Sequence, residues 1–188
     1  IQKLFIGLPE GNNHAFFNEV GEIKRVCPSC AAIALFNQAS ACPSFGGGFK
    51  GALRGAAPVT TLVAGQNLRE TLWLNTLTQE TIATQYPNLS ANDQPTWVDP
   101  LRANGLYSSH DIGLIRGLFW QPAHIELAPP TDGGRCDACY AASSSLVAAF
   151  NKEKFVYNLD GSWPHPHSPR QWNLKKGQRE KERYLSCT

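Results

Sequence analysis

The chain has 188 residues, 42% hydrophobic and 17% charged, which excludes a disordered polymer and is long enough to bury a core without disulfides. A formal net charge of +2 excludes a uniformly basic surface, so any nucleic-acid contact must come from local patches. There is no apolar run that could span a bilayer and no signal-peptide pattern in Ile-Gln-Lys-Leu-Phe at the start, so a soluble, cytoplasmic protein without membrane partners is expected, with this chain beginning and ending inside a longer one.

Residues 1–26 pair a short apolar start with a turn at Gly11-Asn12-Asn13. Cys27-Pro-Ser-Cys30 then leads into Ala-Ala-Ile-Ala-Leu-Phe-Asn-Gln-Ala, which favours a helix over 27–39. Residues 43–58 are Gly-rich and read as a loop. Val59 to Val63 is β-branched and predicts a short strand. Asn67-Leu-Arg-Glu70 carries a cap residue and an acid three positions on, so a helix is expected from there through Leu72, Leu77 and Ile82 to before Pro87. Residues 87–111 predict a long loop. Ile112 to Leu127 is apolar and interrupted at Pro122. Lys154 to Leu159 predicts a strand, Asp160-Gly161 a hairpin-type turn, and Gln171 to Leu174 a second strand. Between them, Trp163-Pro-His-Pro-His-Ser-Pro169 is too Pro-rich for helix or central sheet. The pattern predicts an α+β fold, an irregular mixture of helix and sheet with long loops, and not alternating βαβ units.

Six cysteines fall as two C-x-x-C pairs plus Cys42 and Cys187. Each pair offers two thiolates at a spacing suited to one tetrahedral ion, so Cys27, Cys30, Cys136 and Cys139 together predict one structural zinc site. About 105 residues separate the pairs. Closing such a loop costs roughly 4 kcal/mol on the length term, against about 10–16 kcal/mol that structural zinc supplies in small peptides. A dithiol redox pair at Cys-Pro-Ser-Cys, unrelated disulfides and free core thiols are the alternatives. Cys42 and Cys187 read as ordinary thiols.

Gly46-Gly47-Gly48 leaves the backbone bare, and Lys50 and Arg54 beyond it could meet phosphates. No Gly-Lys-Ser/Thr closes the run, so it is not a Walker loop. A plain surface loop fits the same residues. One of the lysines at 152 and 154 could reach into a groove, but taken alone they are expected to be solvated charges flanking the strand. His165-x-His167 offers two imidazoles for a metal-dependent enzyme, but no nearby carboxylate completes a set, and packing beside Trp163 is the expected role. No Ser/His/Asp arrangement or carboxylate pair stands out.

Several long runs together carry a resemblance. They are Cys30-Ala-Ala-Ile-Ala-Leu-Phe-Asn-Gln-Ala, Phe-Gly-Gly-Gly-Phe-Lys50, Leu-Arg-Gly-Ala-Ala-Pro-Val-Thr-Thr and Gln94-Pro-Thr-Trp97. Further on come Arg116-Gly-Leu-Phe-Trp-Gln-Pro-Ala-His-Ile-Glu-Leu127, Lys152-Glu-Lys-Phe155 and Gly161-Ser-Trp-Pro-His-Pro-His-Ser-Pro169. In this order and over nearly the whole chain, the sequence resembles the large subunit (CasA) of the type I-E CRISPR surveillance complex, Cascade.

That resemblance implies a non-catalytic subunit that recognises the protospacer-adjacent motif in double-stranded DNA, stabilises target binding and helps recruit a helicase-nuclease. It implies zinc on Cys27, Cys30, Cys136 and Cys139. It implies a glycine loop against the motif duplex at Ser44 to Gly48, with Gly47 central and Gly46, Gly48 and Lys50 beside it, and a minor-groove lysine finger at Lys154. It also implies contact with guide RNA and neighbouring subunits at Phe16, Phe17 and Asn18, where Phe17 replaces a smaller aliphatic residue. Residues 1–188 would form the central to C-terminal part of the family's N-terminal domain, incomplete at both ends. The family's glutamine wedge and C-terminal four-helix bundle would lie beyond Thr188.

Overall fold

The computed structural model describes residues 1–5, 21–41, 50–54, 59–86, 93–154 and 156–169, and the backbone of 170–175 and 178–184. The expected turn at Gly11-Asn12-Asn13 lies outside these residues. In chain order the elements are α1 (Pro28–Ala41), α2 (Leu68–Leu74), α3 (Gln79–Gln85), β1 (Leu106–Ser108), α4 (Leu114–Leu118), β2 (His124–Leu127), β3 (Thr131–Arg135), β4 (Ala142–Leu146), β5 (Phe150–Glu153), β6 (Asn158–Asp160), β7 (Arg170–Lys175) and β8 (Gln178–Tyr184). Short 3-10 turns at Gln2–Leu4 and Ser109–Asp111 are the other elements among the described residues. The strands form four two-stranded sheets, so the α+β expectation holds and the layers are small and irregular. No described helix is long and apolar enough to cross a membrane.

Two of these sheets make one ribbon. β2 pairs antiparallel with β5, and nested inside them β3 pairs antiparallel with β4. Ala128 N–H donates to Ala149 O at 3.0 Å between the two, so pairing continues from the base to the tip. The Cys136–Cys139 turn forms the tip, and His124 opposite Glu153 forms the base.

Helix α1 starts beside this ribbon, where Ala31 of its first turn packs with Cys136, Leu146 and Val147. Pro28 opens it, where a missing N–H costs nothing. Its buried positions are Ala31, Ala34, Gln38 and Ala39, a mostly small-residue face that lets the backbone approach closely. Gln38 Nε2 donates to Leu4 O at 2.8 Å and ties the N-terminal turn to the helix. Just before α1, Val26 and Val147 exchange backbone hydrogen bonds of 3.0 and 2.8 Å. A first core of Val26, Cys27, Ala31, Cys136, Leu146 and Val147 follows.

The second core contains Leu53, Tyr86, Ile112, Trp120, Tyr157 and Trp163. Trp163 is fully buried and its Nε1–H donates to Ile112 O at 3.1 Å. The ring lies directly on α4 at Gly117, where an added Cβ would sit 2.0 Å from Trp163 Cε2. Parallel pairing of β1 with β6 brings Tyr107 and Tyr157 to the Trp120 ring.

Several local expectations change. The helix over 27–39 is present as α1. Residues 59–63 form no described ladder, because Thr61 N–H donates to His167 O at 2.8 Å and Val63 N–H to the Asn75 side chain at 2.9 Å. The helix from Asn67 starts as expected, with Asn67 Oδ1 accepting from Glu70 N–H at 3.0 Å. It ends at Leu74, since the Asn75 amide takes Thr71 O and Val63 O, and Thr78 caps a new helix, α3. Within the expected loop 87–111, of which 87–92 lie outside the described residues, β1 forms through its partner β6.

The strand expected at Lys154–Leu159 is displaced on both sides. β5 ends at Glu153 and β6 begins at Asn158, with Phe155 outside the described residues. Gly161 does turn with φ +85, yet no hairpin results, because β6 pairs with β1. The strand expected at 171–174 exists as β7 and pairs with β8. The β3–β4 hairpin had no counterpart in the sequence reading; Thr-Asp-Gly-Gly-Arg and Ala-Ser-Ser-Ser-Leu carry little β propensity.

Candidate metal centre

The ribbon tip and the start of α1 bring the two C-x-x-C pairs together. The Sγ atoms of Cys27, Cys30, Cys136 and Cys139 all lie within 4.8 Å of one another. Zn–S bonds of about 2.3 Å place the sulfurs of a tetrahedron about 3.8 Å apart. Cys27 and Cys139 meet at 3.9 Å, far beyond the roughly 2.05 Å of a disulfide, and all four are free thiols. The cluster can hold a metal ion, and among the described residues it is the one His/Cys/Asp/Glu group with that geometry.

Each half is built locally. On the ribbon, Cys136 N–H donates to Ala141 O and Tyr140 N–H to Cys136 O, both at 2.9 Å, closing a tight knuckle. Tyr140 takes φ +60 there, and the Arg135 guanidinium lies over its ring at 5.2 Å. On the helix side, Ala31 N–H donates to Cys27 O at 3.0 Å and sets Cys30 on the first turn of α1.

The halves are joined by more than sulfur. Asp137 Oδ2 accepts the backbone N–H groups of Lys24 and Arg25 at 2.8 and 2.7 Å. Asp137 N–H returns a bond to Arg25 O at 2.9 Å. The Arg25 and Lys24 amides accordingly hold the Asp137 carboxyl below the usual carboxylate range. Cys27 N–H donates to Cys136 Sγ at 3.3 Å. Burial would raise the Cys136 thiol, but backbone N–H groups of Cys139, Cys27 and Ala138 outweigh it and lower the group to about 6. Cys30 is raised, by burial first and then by the neighbouring thiols of Cys139, Cys27 and Cys136. A bound cation would favour the thiolate at every position.

Burial grades across the cluster. Cys136 and Cys27 are buried, Cys30 is intermediate and Cys139 is exposed. Four protein sulfurs could fill every position of a tetrahedral ion, an arrangement consistent with a structural zinc site.

The other predicted residues lie elsewhere. Lys154 is exposed and directly follows β5, at the base of the ribbon. Strands rise about 3.3 Å per residue, so roughly 35 Å of ribbon contour lies between it and the cysteines. The metal cluster therefore anchors the far end of the ribbon and does not touch the lysine. Lys50 is exposed, with Nζ 5.8 Å from the centre of the Tyr157 ring. Gly46, Gly47, Gly48, Phe16, Phe17, Asn18, Cys42 and Cys187 lie outside the described residues.

His165 and His167 are engaged in packing. His165 is buried against Trp163, ring centres 5.7 Å apart, and its Nδ1 accepts from His167 N–H at 3.1 Å. Burial, then the charges of Arg54 and His167, lowers its pKa to about 3. His167 Nε2 faces Asn75 O at 3.2 Å and so carries the proton.

Sequence reasoning missed Asp137. Its signal was present, an acceptor side chain inside the second C-x-x-C, but its partners at Lys24 and Arg25 are 112 or more residues away. The family model described as CRISPR-associated protein Cse1 matches residues 2–187.

Proposed function

This chain belongs to the Cse1 family of CRISPR-associated proteins, and we propose that it is a zinc-stabilised, non-catalytic nucleic-acid-binding part of a type I-E surveillance complex. In this reading it recognises the protospacer-adjacent motif in double-stranded DNA, stabilises target binding and helps recruit the helicase-nuclease. It works in the cytoplasm beside guide RNA and the other complex subunits. The observation that carries the reading is the tetracysteine cluster, assembled from pairs far apart in a chain whose residues 2–187 match the family model.

Zinc is the metal of choice for four thiolates in a closed tetrahedron, and it has no redox chemistry. Cys27, Cys30, Cys136 and Cys139 would hold it, and its contribution is to tie α1 to the ribbon tip. The ribbon then presents Lys154 at its opposite end. An ammonium there can reach the minor groove, which displays acceptors on every base pair and so permits contact with limited sequence discrimination. Lys50 and the bare backbone of Gly46, Gly47 and Gly48 would lie along the same duplex. Phe16, Phe17 and Asn18 would face the guide RNA and a neighbouring subunit.

The test has two arms, both in the assembled complex. Elemental analysis should find zinc that Cys136→Ser removes. Lys154→Ala should weaken binding to motif-bearing duplex by on the order of tenfold at physiological salt, with a smaller salt slope. Unchanged affinity would remove the lysine assignment, and a folded, metal-free wild-type protein would remove the zinc.

A further inference from the structure

The Pro-rich stretch from Trp163 to Ser168 gathers distant parts of the chain. The Tyr86 hydroxyl donates to Pro164 O. The His167 ring donates to Asn75 O, and the His167 carbonyl accepts from Thr61 N–H. Ser168 Oγ accepts from Arg54 Nε at 2.6 Å. Arg54 is only 4% exposed, and its Nη2 donates to Val59 O and Thr60 Oγ1, each at 2.8 Å. A planar guanidinium bonded in three directions fixes the backbone that carries it.

Lys50 lies four residues before Arg54, and a second support meets it from the other side. Its ammonium lies over the ring of Tyr157, within the range of a cation–π contact. Tyr157 is itself buried, with ring centres 5.4 Å from Trp120 and 6.3 Å from Tyr107. It also follows Lys154 by three residues. The ring is therefore a rigid platform shared by the two segments that carry these lysines.

We infer that Arg54, bonded to Ser168, and Tyr157 are positioning residues that hold the Lys50 ammonium ready for a phosphate of the duplex backbone. The inference rests on the DNA-binding reading above. A lysine on an untethered segment loses rotamer and backbone freedom on meeting a phosphate. Tethering its segment at Arg54 and its head at Tyr157 removes part of that loss beforehand, which raises affinity without a new contact.

A double-mutant cycle in the assembled complex tests this, read as equilibrium binding to motif-bearing duplex across a salt series. Lys50→Ala should weaken binding by about 3- to 10-fold and lower the salt slope by about one. Ser168→Ala should weaken it by about 2- to 5-fold in the wild-type background and add nothing beside Lys50→Ala, because coupled positions are non-additive. Ser168→Thr, which keeps the hydroxyl, should restore binding. Equal losses from Ser168→Ala in both backgrounds, or no loss at all, would overturn the inference while leaving the DNA-binding reading in place. If Lys50→Ala and Lys154→Ala both leave affinity and salt slope unchanged, the DNA-binding reading itself fails, and the inference with it. Should Ser168→Ala impair assembly, Tyr157→Phe against Tyr157→Leu reads the same coupling. Phe keeps the ring and the affinity, whereas Leu should weaken binding by about 2- to 5-fold and add nothing beside Lys50→Ala; Leu binding like wild type would overturn the inference.

Discussion

Asp137→Ala separates the metal's own contribution from that of the protein around it. One carboxylate oxygen accepts two backbone N–H groups, from Lys24 and Arg25. Removing it breaks both bonds and frees the segment that leads into Cys27. Hydrogen bonds contribute about 1 kcal/mol each, and more when one partner is charged. Here donors and acceptor are exposed, so water replaces part of the loss and the charge-assisted surplus is screened. The expected destabilisation is about 1–2 kcal/mol. The same bonds hold Cys27 beside Cys136, so part of this loss should appear in metal binding. At 1.4 kcal/mol per tenfold the whole loss would be about 5- to 30-fold, so the part that reaches the metal should lower zinc affinity by about 2- to 10-fold.

The assay is competition with a chelator of known affinity at pH 7, where the carboxylate is ionised, alongside thermal unfolding of the metal-loaded protein. Asp137→Asn keeps an acceptor without the charge and should fall between the two. Unchanged zinc affinity and unchanged melting for Asp137→Ala would show that the sulfurs alone set the geometry, and the argument for a carboxylate clasp would fail.

Gly117→Ala should destabilise the second core by about 1–3 kcal/mol, because the new methyl overlaps the buried Trp163 ring. Thermal melting and near-ultraviolet circular dichroism report it, and a melting point equal to wild type would refute the packing. His165 adds a pH dependence of defined sign. Its folded pKa is lowered from the ordinary 6.5 to about 3, by burial first. The unfolded chain binds this proton more readily, so stability is full above 6.5 and falls as pH drops through the window toward 3. Chemical denaturation of wild type and His165→Gln across that window should show a shallower slope for the variant, and identical slopes would refute it.

The tetracysteine cluster, which can hold a metal ion, was legible because thiolate spacing is a local property. Two residues between each pair of cysteines suffice to place two sulfurs on one ion. Asn67 announced a helix start for the same reason, since a cap acts on backbone groups within one turn, and the Ala- and Leu-rich run after Cys30 favoured a helix by local propensity. The α+β class followed from mixed periodicity. What the local signals failed to place were the partners. A helix through 67–86 looked continuous until Asn75 found Val63, and the β-branched run at 59–63 looked like a strand until Thr61 found His167.

Sequence by itself determined which residues could ligate a metal and which family the chain resembles, because both depend on residue type and order. Only the tertiary structure decided where those residues stand. It set the cysteines at one end of a ribbon and Lys154 at the other, and it joined Arg54 to Ser168 across 114 positions. It also made Asp137 the link between the two halves of the metal site. The physical reason is that these placements rest on hydrogen bonds and ring contacts between segments far apart in sequence, whose geometry no local propensity encodes.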